Sequence, residues 1–137
     1  MRTFYIFKIK REMAILTKDN PYSIYKNIEG LRRFLKNSPS FCYNIYDQMI
    51  TPINSILVNK RLLKQYKDNL YYQKYYNTHT IYNKYKPENT SLKIKNTYLL
   101  LETNTIKPSF LKELAFDKDL FVCDFDNRDY FWIEQVI

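Results

Sequence analysis

The sequence predicts an α+β fold: a small single domain spanning residues 1–137, with a mixed sheet, about three helices packed on it and a C-terminal β-hairpin. Three observations carry this prediction. The chain opens on a β-prone run, Arg2 to Ile9, and closes on two more that bracket a polar turn at Asp126 and Asn127: Leu120 to Phe125 and Arg128 to Ile133. Between these ends, apolar stripes at helical spacing alternate with strand-like segments, an order that suits layered α+β architecture rather than a doubly wound sheet. A chain of 137 residues with 45% apolar content is long enough for one domain with a real core and too short for two comfortable ones.

Taken in order, Arg2 to Ile9 places Phe4, Ile6 and Lys8 on one face and Tyr5, Phe7 and Ile9 on the other, so this strand belongs in the sheet interior with both faces largely covered. Met13 to Leu16 is a short apolar tract, followed by a polar break at Thr17 to Asn20. Asn20 and Pro21 supply an N-cap and a proline at the first helical position; Ile24, Ile28, Leu31 and Leu35 then form one apolar stripe, and Asn37, Ser38 and Pro39 stop the helix. Phe41, Ile45 and Met49 predict a second, shorter helix ended by Thr51 and Pro52. Ile53 to Val58 reads as a short strand or extended connector. Lys60 to Lys86 has weak helical periodicity through Leu63, Tyr66 and Leu70 and closes at a turn over Pro87, Glu88 and Asn89. Ser91 to Glu102 reads as a strand pair around an asparagine-containing turn, or as one bulged strand. Phe110, Leu111, Leu114 and Ala115 mark a third amphipathic helix within Thr105 to Asp119.

Several chemistries lack the residues they need. The single glycine, Gly30, falls inside a predicted helix, so neither a phosphate-cradling loop nor a dinucleotide fingerprint can form. His79, the one histidine, has no sequence context for a triad and reads as a surface residue. Cys42 and Cys123, each within two residues of aromatic side chains on both sides and without a CxxC motif, read as buried reduced thiols; no metal and no cofactor is expected. Asp124, Asp126 and Asp129 crowd the last turn, where aspartates commonly cap the backbone. No apolar run approaches the roughly 20 residues of a membrane span. Arg2 to Ile9, interrupted by Lys8 and followed by Lys10, does not resemble a secretory signal. The expectation is a non-enzymatic, monomeric, cytoplasmic protein.

Two stretches are candidate binding surfaces. The chain carries a net charge of +8, and Lys60 to Lys86 holds seven Lys or Arg against one Asp, interleaved with seven of the fourteen tyrosines. Lys60, Arg61, Lys64, Tyr71, Tyr72, Lys74 and Tyr75 are the residues through which that segment could neutralise phosphates and stack on unpaired bases as a nucleic-acid-binding module. The same composition also describes amphipathic side chains that cover a core and keep their polar ends in water. The apolar tract Met13 to Leu16 is the second candidate, a patch for a partner protein.

Three collinear segments carry a resemblance. Arg2-x-Phe4-Tyr5-x-Phe7-x-Ile9-Lys10-x-Glu12-x-Ala14, the stretch from Thr51-Pro52-Ile53 through Lys60-Arg61-Leu62, and Leu120-Phe121-x-x-Asp124-Phe125-x-Asn127-x-x-Tyr130-x-Trp132 together resemble the sporulation inhibitor of replication family, SirA. The resemblance implies a small cytoplasmic protein that binds the N-terminal domain of the bacterial replication initiator DnaA and represses initiation of replication. It further implies a contact surface just after the first strand and near the proline-containing segment, which here means Met13, Ala14, Thr17 and Gln48. Met13 keeps a large apolar side chain there, whereas Thr17 and Gln48 depart from the aromatic residues of the family pattern.

Overall fold

The alternation read from the N-terminus becomes strand β1 (Arg2–Ile9) of a computed structural model that describes residues 1–34 and 48–136. Around it are β2 (Ile50–Thr51), β3 (Tyr72–Tyr75), β4 (Thr78–Asn83), β5 (Glu88–Ile94), β6 (Leu99–Thr103), β7 (Leu120–Asp124) and β8 (Asp129–Trp132). The four described α-helices are α1 (Arg11–Thr17), α2 (Pro21–Phe34), α3 (Ser55–Tyr66) and α4 (Ser109–Leu114), and a 3-10 turn, Ile133–Val136, closes the chain. The sheet runs β3-β4-β5-β6-β1-β7-β8, with the short β2 paired to the end of β1. The mixed sheet expected from the sequence is antiparallel in every ladder, because its neighbours are joined by hairpins or by connections that return the chain in the opposite direction.

β1 sits in the interior, as its two apolar faces require. Phe4 lies opposite Leu101, Ile6 opposite Leu99 and Val122, and Phe7 opposite Phe121. Phe4 and Ile6 join one core with Leu92, Leu101, Leu62 of α3 and Phe110 and Leu114 of α4. Phe7 and Ile9 join the other with Ala14 of α1, Ile24 and Ile28 of α2, Phe121, Cys123 and Trp132. The helices thus cover opposite sheet faces in pairs, α3 with α4 and α1 with α2, which leaves β7 buried along its whole length.

The C-terminal hairpin forms as expected, and its turn ties back to the first strand. The Arg2 guanidinium donates to Asp124 at 3.0 Å and to Asp129 at 3.1 Å, while the Asn127 backbone and side-chain N–H groups donate to Asp124 at 3.2 and 2.8 Å. Burial by itself would raise the Asp124 carboxyl, but Asn127 and Arg2 outweigh it and hold the group below the usual carboxylate range. Trp132, the single tryptophan, is buried edge-on to Phe121 with ring centroids 5.1 Å apart.

Other expectations are corrected. Met13 to Leu16 is part of a helix, not merely an apolar tract before one. Ile53 to Val58 is neither strand nor extended connector: the Asn54 side chain accepts from the Leu57 N–H at 3.1 Å and starts α3, whose buried positions Val58 and Leu62 lie four apart. The helical pattern from Lys60 ends at Tyr66, beyond which β3 and β4 form a hairpin. Pro87 does lie in a turn, but Glu88 and Asn89 already begin β5, which pairs with β6 as the strand pair expected there. α2 begins at Pro21 as predicted. The segment from Leu35 to Asp47, with the expected helix stop, Cys42 and most of the helix expected from Phe41 to Met49, lies outside the described residues.

Candidate partner-binding face

α1 is only seven residues long, too short to hold itself in water, and its sequence gives it one firmly buried anchor, Ala14. Lys10 precedes it without a side-chain cap, Glu12 places a carboxylate in the first turn, and the Thr17 hydroxyl donates to the Met13 carbonyl at 2.6 Å in the last. Met13 and Thr17 are half-buried, with Met13 packed against the core that contains Trp132. The outward side is apolar: Ile15 is 64% exposed and Leu16 81%.

The rim of this patch is charged and tied down. The Arg11 guanidinium donates to Asp119 at 2.9 Å, and the Lys18 ammonium reaches the Lys118 carbonyl at 2.7 Å and the Glu134 carboxylate at 3.0 Å. The same ammonium stands 4.2 Å from the centre of the Trp132 ring. A shallow groove runs between α1 and Lys118–Asp119, lined by Arg11, Ala14, Ile15 and Lys18. The Lys10 N–H donates to the Met49 carbonyl at 2.8 Å, which sets the exposed Gln48 beside the start of α1.

Of the residues the sequence singled out here, Met13, Ala14, Thr17 and Gln48 therefore come together at one end of the sheet. They are not equally available, since Ala14 faces the core. The prominent side chains are Ile15 and Leu16, which belong to the tract read as a partner patch but were not picked out within it. A helical reading from Arg11 would have found them, because it turns Ala14 inward and its two successors outward.

The basic segment is divided by the fold. Lys60, Arg61 and Lys64 are exposed on α3, with Arg61 stacked 3.9 Å from the centre of the Phe116 ring; Lys74 and Tyr75 are exposed on β3. Tyr71 and Tyr72 are half-buried and pack against the first core. His79 is fully buried, contrary to the surface position expected for it. It lies 2.6 Å from the Tyr72 hydroxyl through Nδ1 and 2.7 Å from the Asn59 side-chain oxygen through Nε2. Burial, reinforced by Lys74, lowers its pKa to about 4, so the neutral ring accepts from Tyr72 and donates to Asn59. Burial likewise pushes the Cys123 thiol up, leaving it an unreactive core residue.

Among the described residues, no group of three or more His, Cys, Asp and Glu side chains is arranged to hold a metal ion, and no helix is long and apolar enough to cross a membrane. What the geometry offers is a surface: a short helix, anchored from below, presenting two aliphatic side chains inside a charged rim. No curated protein matches the chain. A family model described as sporulation inhibitor of replication protein SirA matches residues 2–136, which takes in every strand and helix described above. The chain belongs to the SirA family of sporulation inhibitors of replication.

Proposed function

We propose that this protein is a non-enzymatic inhibitor, acting as a single-domain cytoplasmic monomer, that binds the N-terminal domain of the replication initiator DnaA and represses initiation of DNA replication. The observation that carries the reading is the outward pair Ile15 and Leu16 on α1, directly after the first strand, in a chain of the SirA family. Large aliphatic side chains left in water gain roughly 1.5 to 3 kcal/mol each when fully buried, which makes them natural centres of a docking patch. Met13 and Thr17 would border the contact from α1 and Gln48 from the neighbouring chain segment. Arg11, Lys18 and Lys118 would favour an acidic rim on the partner. Inhibition then follows from occupancy: a partner surface covered by this face is withheld from productive assembly at the origin.

Calorimetry with the purified initiator domain tests this directly. Saturable heat and a joint elution peak are expected, and absence of both at tens of micromolar refutes the reading. Leu16→Asp separates docking from folding, because it should abolish the heat while leaving the thermal transition in place. Met13→Asp is the companion variant; if its loss of binding is matched by an equal loss of thermal stability, Met13 serves the core instead.

A further inference from the structure

We propose that the open face of β3, β4 and β5 is a docking platform for single-stranded nucleic acid, separate from α1 and independent of the inhibitor reading. The strand alternation that sends His79, Ile81, Thr90, Leu92 and Ile94 into the first core sends the intervening residues the other way. On that outer face lie Tyr75, Tyr82 and Lys93, with Thr78, Thr80 and Ser91 between them in register. None of these residues belongs to either buried core.

Tyr75 and Tyr82 stand on this face, Tyr76 is at the hairpin tip beside it, and Tyr85 lies in the β4–β5 turn edge-on to Tyr71. Tyr75, Tyr76, Tyr82 and Tyr85 are 75%, 76%, 63% and 75% exposed, so core packing does not demand that any of them be aromatic. Tyr76 stands at the tip of the β3–β4 hairpin with φ of 52°, a backbone conformation that glycine adopts freely and a β-carbon resists. A ring kept at such a position, edge-on to Tyr75 at 4.6 Å, points to a use outside folding.

Lys93 supplies a cation on this face and Lys84 another at the β4–β5 turn, 5.5 Å from the centre of the Tyr85 ring; Lys74, opposite His79, and Lys86, in a groove with Glu88 and Ser109, lie toward the other side. Glu88, the carboxylate of β5, faces the opposite way and accepts from the Ser109 hydroxyl at 3.0 Å, leaving Asp68 before β3 and Glu102 on β6 as the nearby acids in sequence and register. Tyr75 lies opposite Thr78, and Tyr82 follows four residues along β4, about 13 Å away at about 3.3 Å per residue. Two rings at that spacing on one sheet face can stack on two non-adjacent bases of one strand while lysines meet the intervening phosphates. A duplex, whose bases are already stacked on each other, offers no such faces.

The test is fluorescence anisotropy of the full chain with a labelled oligo-dT, the matching oligo-U and a duplex of equal length. Single strands should bind and the duplex should bind less well, with affinity falling steeply as salt rises. Binding to either single strand supports the platform, and the preferred sugar identifies DNA or RNA. Tyr75→Ala and Tyr82→Ala should each weaken single-strand binding about tenfold without lowering the thermal transition, and neither should affect the initiator-domain heat. Lys93→Gln should reduce the salt slope by about 0.7 if its phosphate contact is lost. Unchanged affinity in both tyrosine variants, no anisotropy change at low salt, or binding to anionic phospholipid vesicles in place of oligonucleotide would each overturn the proposal.

Discussion

Lowering the pH from 7 to 5 should destabilise this protein through one side chain, His79. Its ordinary pKa of 6.5 applies to the unfolded chain, whereas in the folded protein burial holds it at about 4. Between those values the unfolded chain binds a proton that the folded protein refuses, so stability falls as the pH drops through 6.5, and the loss is complete near 4. At 1.36 kcal/mol per pH unit, the full loss is roughly 3 kcal/mol, and about 2 kcal/mol of it has accrued by pH 5. For a domain of this size that is a drop of about 8 °C in the thermal midpoint. Trp132, buried in the other core, reports the transition by its fluorescence. The control is His79→Gln, whose amide can still accept from Tyr72 and donate to Asn59 but does not titrate. It should melt somewhat lower than the parent at pH 7 and show little of the parent's decline between pH 6.5 and 4.5. Equal declines in the two proteins would refute the argument, because the acid sensitivity would then come from elsewhere.

Gly30→Ala should raise stability by roughly 0.5 to 1 kcal/mol, since the position is helical and nothing lies within 4 Å of the added β-carbon; a lower melting temperature would contradict this. Asp124→Asn should cost about 1 kcal/mol at neutral pH by weakening the bonds from Arg2 and Asn127. Because the folded carboxyl lies below its ordinary 3.8, that contribution is present above 3.8 and lost as the pH falls through the folded value, so urea titrations of variant and parent should converge in strong acid. Leu16→Asp should leave the melting temperature within about 1 °C of the parent, given the exposure of Leu16, while weakening initiator-domain binding at least tenfold by calorimetry.

Period and punctuation explain which elements could be read in advance. β1 and the C-terminal hairpin were legible because alternation over several residues was bounded by polar turns, and α2 because Asn20 and Pro21 mark a start that needs no tertiary context. α1 was not, since seven residues give barely two turns and its buried anchor is an alanine, too small to signal a face. The start of α3 was hidden by the aliphatic run Ile56 to Val58, which suits a strand equally well; the readable cue was Asn54. His79 could not be placed from sequence, because its burial depends on Asn59, twenty positions earlier, and on Tyr72 across the hairpin. Met13 to Leu16 was legible as an apolar tract, but which of its residues face outward was not, because direction requires the helix first.

The two surfaces are far enough apart to act independently, and this can be measured. β3 lies four strand positions from β1, about 19 Å at about 4.8 Å per step. Beyond the end of β1, α1 packs on the core that holds Trp132, while Tyr75 and Tyr82 stand on strands that contribute nothing to that core. Sites at this separation with no shared partners should have additive free energies. The double variant Leu16→Asp/Tyr82→Ala should therefore lose initiator-domain binding as Leu16→Asp does, and oligonucleotide binding as Tyr82→Ala does, within about 0.5 kcal/mol in each case. A larger deviation would mean that the faces communicate through the sheet. Saturating oligonucleotide should then also change the initiator-domain affinity of the parent protein by the same coupling energy, since linkage between two ligands is reciprocal.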